Sequence, residues 1–218
     1  MPSVWRNANS VATATNLTQL NTTTNYTVAF WAKLAVDGDV MRHASTANGA
    51  RDGYAFTFNA ADLQARHFFA ATSSNYTVIS GGPWRNGRWQ HFAIVYNGSV
   101  ANGFINGVLR GRTTANPPTA NASCTTTLTP AIAGTFNGNL FDFQLLPGIA
   151  VPLADVPLLM NPRFTYPGIK ARWFGLEFTG VGPSSTLRDE SGNGSNLTTT
   201  ATGVLHPDAE PPYLPTLG

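Results

Sequence analysis

The stretch Trp89-Gln90-His91-Phe92-Ala93-Ile94-Val95-Tyr96, then Asn97-Gly98, then Gly103-Phe104-Ile105-Asn106-Gly107-Val108-Leu109-Arg110-Gly111, decides the fold. Trp89 to Tyr96 alternate with the period of two that sends successive side chains to opposite faces of a strand. Asn97-Gly98 marks a turn. Asn106-Gly107 is a two-residue hairpin signal, because both central residues of such a turn take positive φ.

Working outward, the same grammar recurs. Thr27 to Leu34 reads as a strand with Val28 and Phe30 on one face and Trp31 on the other, so it is covered on both sides or at its end. Asp37-Gly38-Asp39 reads as a turn, and Val40 to Ala44 as a short strand. Tyr54, Phe56 and Phe58 point together, and strands follow over Leu63 to Ala70 and Tyr76 to Ile79. Residues 112 to 127 are Thr-rich, carry Pro117-Pro118 and read as a loop. Phe136 to Leu145 and Arg172 to Phe178 complete the strands, with one short helical turn between Val151 and Met160. Helical periodicity is lacking, and 21 glycines with 15 prolines punctuate the chain too often for long helices.

About ten short strands with regular turn signals predict an all-β fold, a single antiparallel β-sandwich. Residues 1–206 form the domain, and the Pro-rich tail 207–218 runs extended over the surface. The predicted structural core contains Phe30, Trp31, Trp89, Phe92, Ile94 and Phe141, with Trp89 filling the gap between the sheets.

Composition narrows the function. Of 218 residues, 42% are hydrophobic, which excludes wholesale disorder. Only 11% are charged, against about 25% in an ordinary chain. Thr, Asn, Ser and Gly therefore cover the surface. The net charge of +2 with no basic cluster argues against a nucleic-acid partner. The single cysteine, Cys124, forms no intramolecular disulfide. The N-terminus MPSVWRNANS has no basic segment followed by an apolar run, so no signal peptide is read there. No apolar stretch approaches the ~20 residues of a membrane span.

The string from Gly87 to Gly98, continued by Phe104-Ile105-Asn106-Gly107-Val108, resembles the concanavalin A-like lectin/glucanase superfamily, nearest its laminin-G-like jelly rolls. Phe136-Asn137-Gly138-Asn139-Leu140-Phe141-Asp142-Phe143 is similar to the next family strand, and Thr27 to Ala32 to an early one. The implied fold is a laminin-G/concanavalin A-like jelly roll. The C-terminal part resembles bacteriophage virion modules: Leu153 to Pro162, Arg172-Trp173-Phe174, and Asp189-Glu190-Ser191-Gly192-Asn193-Gly194. That second resemblance implies a virion protein (capsid decoration, head fibre or tail-fibre module) made in a host cytoplasm. Its partners would be other virion proteins such as the capsid or fibre base, in a homo-oligomer. The alternative is a carbohydrate-binding lectin-type module that attaches to a host or glycan.

Catalysis is not expected. Glycanases on this fold set two or three carboxylates along one strand, about 5 Å apart for retaining chemistry. Here Glu177, Glu190 and Glu210 come late, and the pairs Asp37/Asp39 and Asp208/Glu210 sit in turn or tail sequence. The histidines His43, His67, His91 and His206 show no zinc spacing, and no cofactor is expected. Asp37, Asp39 and Asp52 are too few for calcium, so turn capping is their expected role. A glycan, where one binds, would meet Trp84 and Arg85 on the Gly/Pro loop, with Tyr76 on the preceding strand.

Overall fold

The structure is a computed structural model and describes residues 4–6, 12–14, 17, 24–36, 38–45, 52–59, 62–69, 72–82, 87–119, 124–128, 137–174, 186–199 and 205–206. Antiparallel strands pair into two sheets. Strand β1 is Val4–Arg6, β2 Ala12–Ala14, β3 Tyr26–Val36, β4 Gly38–Ser45, β5 Asp52–Asn59, β6 Asp62–Phe69, β7 Thr72–Ile79 and β8 Gln90–Tyr96. Then come β9 Val100–Ile105, β10 Val108–Thr114, β11 Thr125–Leu128, β12 Asn137–Pro147, β13 Ala171–Trp173, β14 Thr186–Leu187, β15 Leu197–Thr199 and β16 Leu205–His206. The first sheet runs β10-β9-β8-β3-β12-β1-β16, with β13 also on β12. The second runs β14-β15-β2-β11-β4-β5-β6-β7. The fold is the all-β sandwich that the alternation predicts.

The core lies between the sheets. Phe30, Phe92, Ile94 and Phe143 from the first sheet meet Tyr54, Phe56, Phe58, Leu63 and Val78 from the second. Phe30 stacks on Phe143 at 5.1 Å, and Phe92 meets Phe58 edge-on at 4.9 Å. At Asn106-Gly107 both φ angles are positive, 49° and 75°, and Ile105 faces Val108 across the turn. Gly138 lies at a register break in β12.

A second glycine pair closes one side of the sandwich. Gly103 and Gly111 face each other across β9 and β10. A Cβ on Gly111 would lie 2.0 Å from the Val78 carbonyl oxygen, and one on Gly103 2.7 Å from it. The missing side chains let β7, the edge of the second sheet, pack onto the edge of the first.

Several expectations change. Residues 112 to 127 are not all loop: β10 continues to Thr114 and β11 begins at Thr125. The late strand is Ala171–Trp173, and residues 175–178 lie outside the described residues, as does the tail 207–218. Gly38 and Asp39 already belong to β4, beside a bulge, while Asp37, the first residue of the expected turn, lies outside the described residues. Trp89 does not fill the gap between the sheets. It is half-buried on the outer side of the first sheet, beside Trp31 and Phe141. The parity is that of His91, whose ring meets Trp31 at 5.3 Å, whereas Phe92 faces the core.

The outer side of the first sheet is itself covered. Ala29, Ala93, Val95 and Phe104 pack against Val151, Val156, Leu159 and Ile169 from the segment after β12. That segment holds the short 3-10 helix Val156–Met160. Trp31 donates its indole N–H to the Met160 carbonyl at 3.3 Å. β3 and β8 are thus buried on both faces.

Candidate binding face

With the first sheet capped, the outer face of the second sheet is a polar face among the described residues, exposed at its two ends and half-buried to buried between them. Register places Thr186, Thr198, Thr13, Thr127, Arg42, Ala55, Arg66 and Asn75 in one row across all its strands. Thr186, Thr198 and Asn75 are exposed at the two ends of the row, while Arg42 and Arg66 are half-buried on either side of a buried Ala55. A second row runs Asp39, Thr57, Gln64, Thr77. Thr57, Gln64 and Thr77 are half-buried. Strands sit about 4.8 Å apart, so the guanidinium-bearing strands β4 and β6 are separated by roughly 10 Å. The face carries hydroxyls, amides and two guanidiniums at regular spacing, that of Arg42 paired with Asp39.

The acids on this face serve the fold. Asp39 accepts from Arg42 Nη2 at 2.7 Å and from the Thr57 hydroxyl. Asp62 accepts from Ser80 at 2.9 Å and from Thr77 at 3.5 Å. Turn capping is therefore not the role of Asp39. Asp37 lies outside the described residues. Among the described residues, no group of three His, Cys, Asp or Glu side chains could hold a metal ion.

Of the residues predicted to meet a glycan, Tyr76 is the one among the described residues. Trp84 and Arg85 lie outside the described residues. Tyr76 is half-buried against the core, and its hydroxyl accepts the Asn116 N–H at 3.2 Å. Of the predicted core, Phe30, Phe92 and Ile94 are fully buried between the sheets. Trp31 and Phe141 are buried on the outer side.

Two buried polar sites escaped the sequence reading. The first ties the cap to β12. A bulge between Phe141 and Gln144 puts Asp142 at φ 49°, a conformation that Asp tolerates better than most residues. Its carboxylate receives Arg172 Nε at 2.6 Å and Nη2 at 2.8 Å. Gln144 donates to it at 2.9 Å. Arg172 also donates to the carbonyls of Pro162 and Phe164 and to Thr165, so its five guanidinium hydrogens are all used. Burial raises the Asp142 pKa, and the Arg172 guanidinium and Gln144 oppose that rise. Beside it, the Asp189 carboxylate accepts from the backbone N–H groups of Arg172, Ser191 and Ser195 and from the Ser191 hydroxyl. The Asp189-to-Gly194 motif is a clasp that holds the chain onto β13.

The second site sits inside one end of the sandwich. His67 bonds Tyr26 Oη through Nε2 at 2.8 Å and the Asn116 carbonyl through Nδ1 at 2.5 Å. His43 bonds Thr126 at 2.8 Å. Burial lowers both histidines to about 4, the Asn116 carbonyl opposing it at His67. His91, buried against Trp31, is lowered to about 3 by burial, with the Leu159 carbonyl pulling the other way. Only parity of burial could have flagged these: His43, Tyr54 and His67 are cross-strand neighbours on the inner face.

A profile of the concanavalin A-like lectin/glucanases superfamily matches residues 6–147. The chain belongs to that superfamily. A search of curated protein sequences finds no match. Among solved structures, the chain is similar to a "putative carbohydrate binding protein" from Bacteroides ovatus, at 14% identity and TM-score 0.63. That alignment covers 92% of this chain and 58% of the other, so the chain spans little more than half of that protein. It is similar to HCR/D-Sa-GBL1/C at 12% identity and TM-score 0.53, over 82% of this chain and 50% of that one. A native heptameric SAP-like pentraxin from Limulus polyphemus aligns at 15% identity and TM-score 0.46, over 73% and 76%. At these identities the first two likenesses show the fold alone.

Proposed function

We propose that this chain is a non-enzymatic, lectin-type binding module that takes an extended glycan along the outer face of the second sheet. The observation that carries the reading is the registered polar row with Arg42 and Arg66 flanking Ala55. Glycan hydroxyls recur along a chain, and a row of amides, hydroxyls and guanidiniums at strand spacing matches them with directional hydrogen bonds. The Bacteroides ovatus neighbour, named for carbohydrate binding, supports the same direction. Glycan microarrays followed by calorimetry test it. Arg66→Ala, Gln64→Ala and Asn75→Ala should each weaken binding roughly 10-fold, the worth of one hydrogen bond to a charged or well-placed group, with Gln64→Ala and Asn75→Ala at unchanged melting temperature. A blank array, or three variants that bind as wild type does, overturns the reading.

The second reading is assembly into a bacteriophage virion. It is favoured by an apolar rim: among the described residues, Val108 and Leu109 at the hairpin and Leu153 and Leu158 on the cap are the exposed large hydrophobics. A Cβ on Gly107 would contact Pro157 and Met160, so the hairpin tip abuts the cap. Such a rim suits contact with a virion protein or with a second copy. Mass spectrometry of purified virions distinguishes it, since a free lectin would be absent from the particles.

A further inference from the structure

The chain crosses from β10 in the first sheet toward β11 in the second over one end of the sandwich, and His67 lies beneath that crossing. The described part, Ala115 to Thr119, is fastened repeatedly. Ala115 N–H bonds the Ser99 carbonyl at 2.9 Å, and the Ala115 carbonyl accepts Tyr96 Oη at 3.1 Å. The Thr119 carbonyl accepts Gly53 N–H at 3.0 Å. Asn116 is held at both ends, by Tyr76 through its N–H and by His67 through its carbonyl.

The partners of His67 fix its tautomer. A carbonyl only accepts, so Nδ1 carries the hydrogen toward Asn116. Neutral Nε2 is then the acceptor, and the Tyr26 hydroxyl donates to it. The relay runs one way: Tyr26 O–H to His67, His67 N–H to the Asn116 carbonyl. Around the ring stand Tyr26 from β3, Tyr76 from β7 and Tyr96 from β8, with centroids 5.9, 5.2 and 5.0 Å away. Tyr54 on β5 is its cross-strand neighbour, and His43 on β4 lies beyond Tyr54. Among the described residues no carboxylate faces this cluster, and the Tyr26 hydroxyl has no second acceptor.

We propose that His67 is an acid-sensitive latch, whose protonation at Nε2 releases the Ala115–Thr119 crossing and opens that end of the sandwich. One proton is taken from solvent. It places N–H against the O–H of Tyr26, leaves that hydroxyl hydrogen without a described acceptor, and buries a cation, a cost that outweighs the strengthened bond from Nδ1 to the Asn116 carbonyl. Opening restores water to both groups. Burial holds His67 at about 4, below the ordinary value of about 6.5. The closed form is therefore favoured above pH ~6.5, and that preference is lost as pH falls toward 4.

The test is hydrogen exchange of the whole chain, read as protection factors so that intrinsic exchange is divided out. Between pH 7 and 4.5, protection of the Ala115, Asn116 and Gly53 amides should fall roughly 10- to 100-fold, while Phe92 and Ile94 keep theirs. His67→Gln keeps a donor and an acceptor but takes up no proton, so the fall should disappear. A wild-type protein without the fall, or His67→Gln with the same fall, overturns the latch. Should His67→Gln not fold, Tyr26→Phe reads the same device. Without the hydroxyl one group that opposes the proton is gone while burial still resists it, so the midpoint should move to higher pH. An unmoved midpoint, or a His67 ring signal that stays neutral until global unfolding, overturns it.

Discussion

Replacing Asp142 by Asn keeps the shape of the side chain and its tolerance of positive φ but removes the charge that Arg172 is built around. Arg172 and Asp142 are 2% and 0% exposed, so water cannot take the carboxylate's place. One amide face of Asn would confront an Arg172 N–H with another N–H, and a buried cation would lose its counter-ion. Breaking one side of such a pair costs about 3–5 kcal/mol. Arg172→Met should cost about the same, since it strands Asp142 with Gln144 as its remaining described donor and frees the carbonyls of Pro162 and Phe164. For a chain of this size that corresponds to a fall of roughly 6–20 °C in melting temperature.

The double variant, Asp142→Asn with Arg172→Met, carries the decisive comparison. It leaves neither charge, so it should melt above the sum of the single losses by at least about 1 kcal/mol. The Arg172→Met cost should also shrink in acid, because a lone buried carboxylate can take a proton. Calorimetry at pH 7 and pH 5, with limited proteolysis of residues 149–169 as the local readout, measures all of this. Two single variants that melt within about 2 °C of wild type, or strict additivity in the double, would refute the view that this pair fastens the cap.

Two further outcomes follow from packing. Gly111→Ala should destabilise by about 2–3 kcal/mol in urea unfolding and more than Gly103→Ala. Its Cβ would lie 2.0 Å from the Val78 carbonyl oxygen, whereas that of Gly103 would lie 2.7 Å from it. Equal midpoints for the two would count against the edge closure. Trp31→Ala should cost about 3–5 kcal/mol, and the half-buried Trp89→Ala about half of that by thermal melting, an order that equal losses would reverse.

The strands were legible because their signals are local. Period-two alternation in Tyr54 to Phe58 and turn chemistry at Asn106-Gly107 need no knowledge of the rest of the chain. The misplacement of Trp89 has a physical reason. Residues 91 to 96 in β8 are buried on both faces, so hydrophobicity cannot say which face looks between the sheets. Parity groups Trp89 with His91, and only the position of the cap reveals that this is the outer side. The Asp142 bulge was hidden because it depends on Arg172, thirty residues later. Gly103 and Gly111 read as ordinary strand glycines until β7 is seen to press on them. The polar face was legible in composition, through the low charge and abundant Thr, but not in position, since its row joins residues from 13 to 198.

The superfamily profile ends at residue 147, yet the physical unit does not. Ala29, Ala93, Val95 and Phe104 would form an apolar patch on the first sheet if the chain stopped there. Residues 149 to 169 cover that patch, Arg172 and Asp189 fasten the cover, and β14 and β15 return to widen the second sheet. One continuous segment thus hides the face of one sheet and extends the other. The two operations have opposite consequences for binding. They withdraw the first sheet from solvent and lengthen the polar row on the second by Thr186 and Thr198. A site that must follow an extended ligand gains from that division, because a longer row multiplies weak, directional contacts without requiring any single deep pocket. This is why the cap and its fastening, though structural in every contact described, bear on what the second sheet can hold.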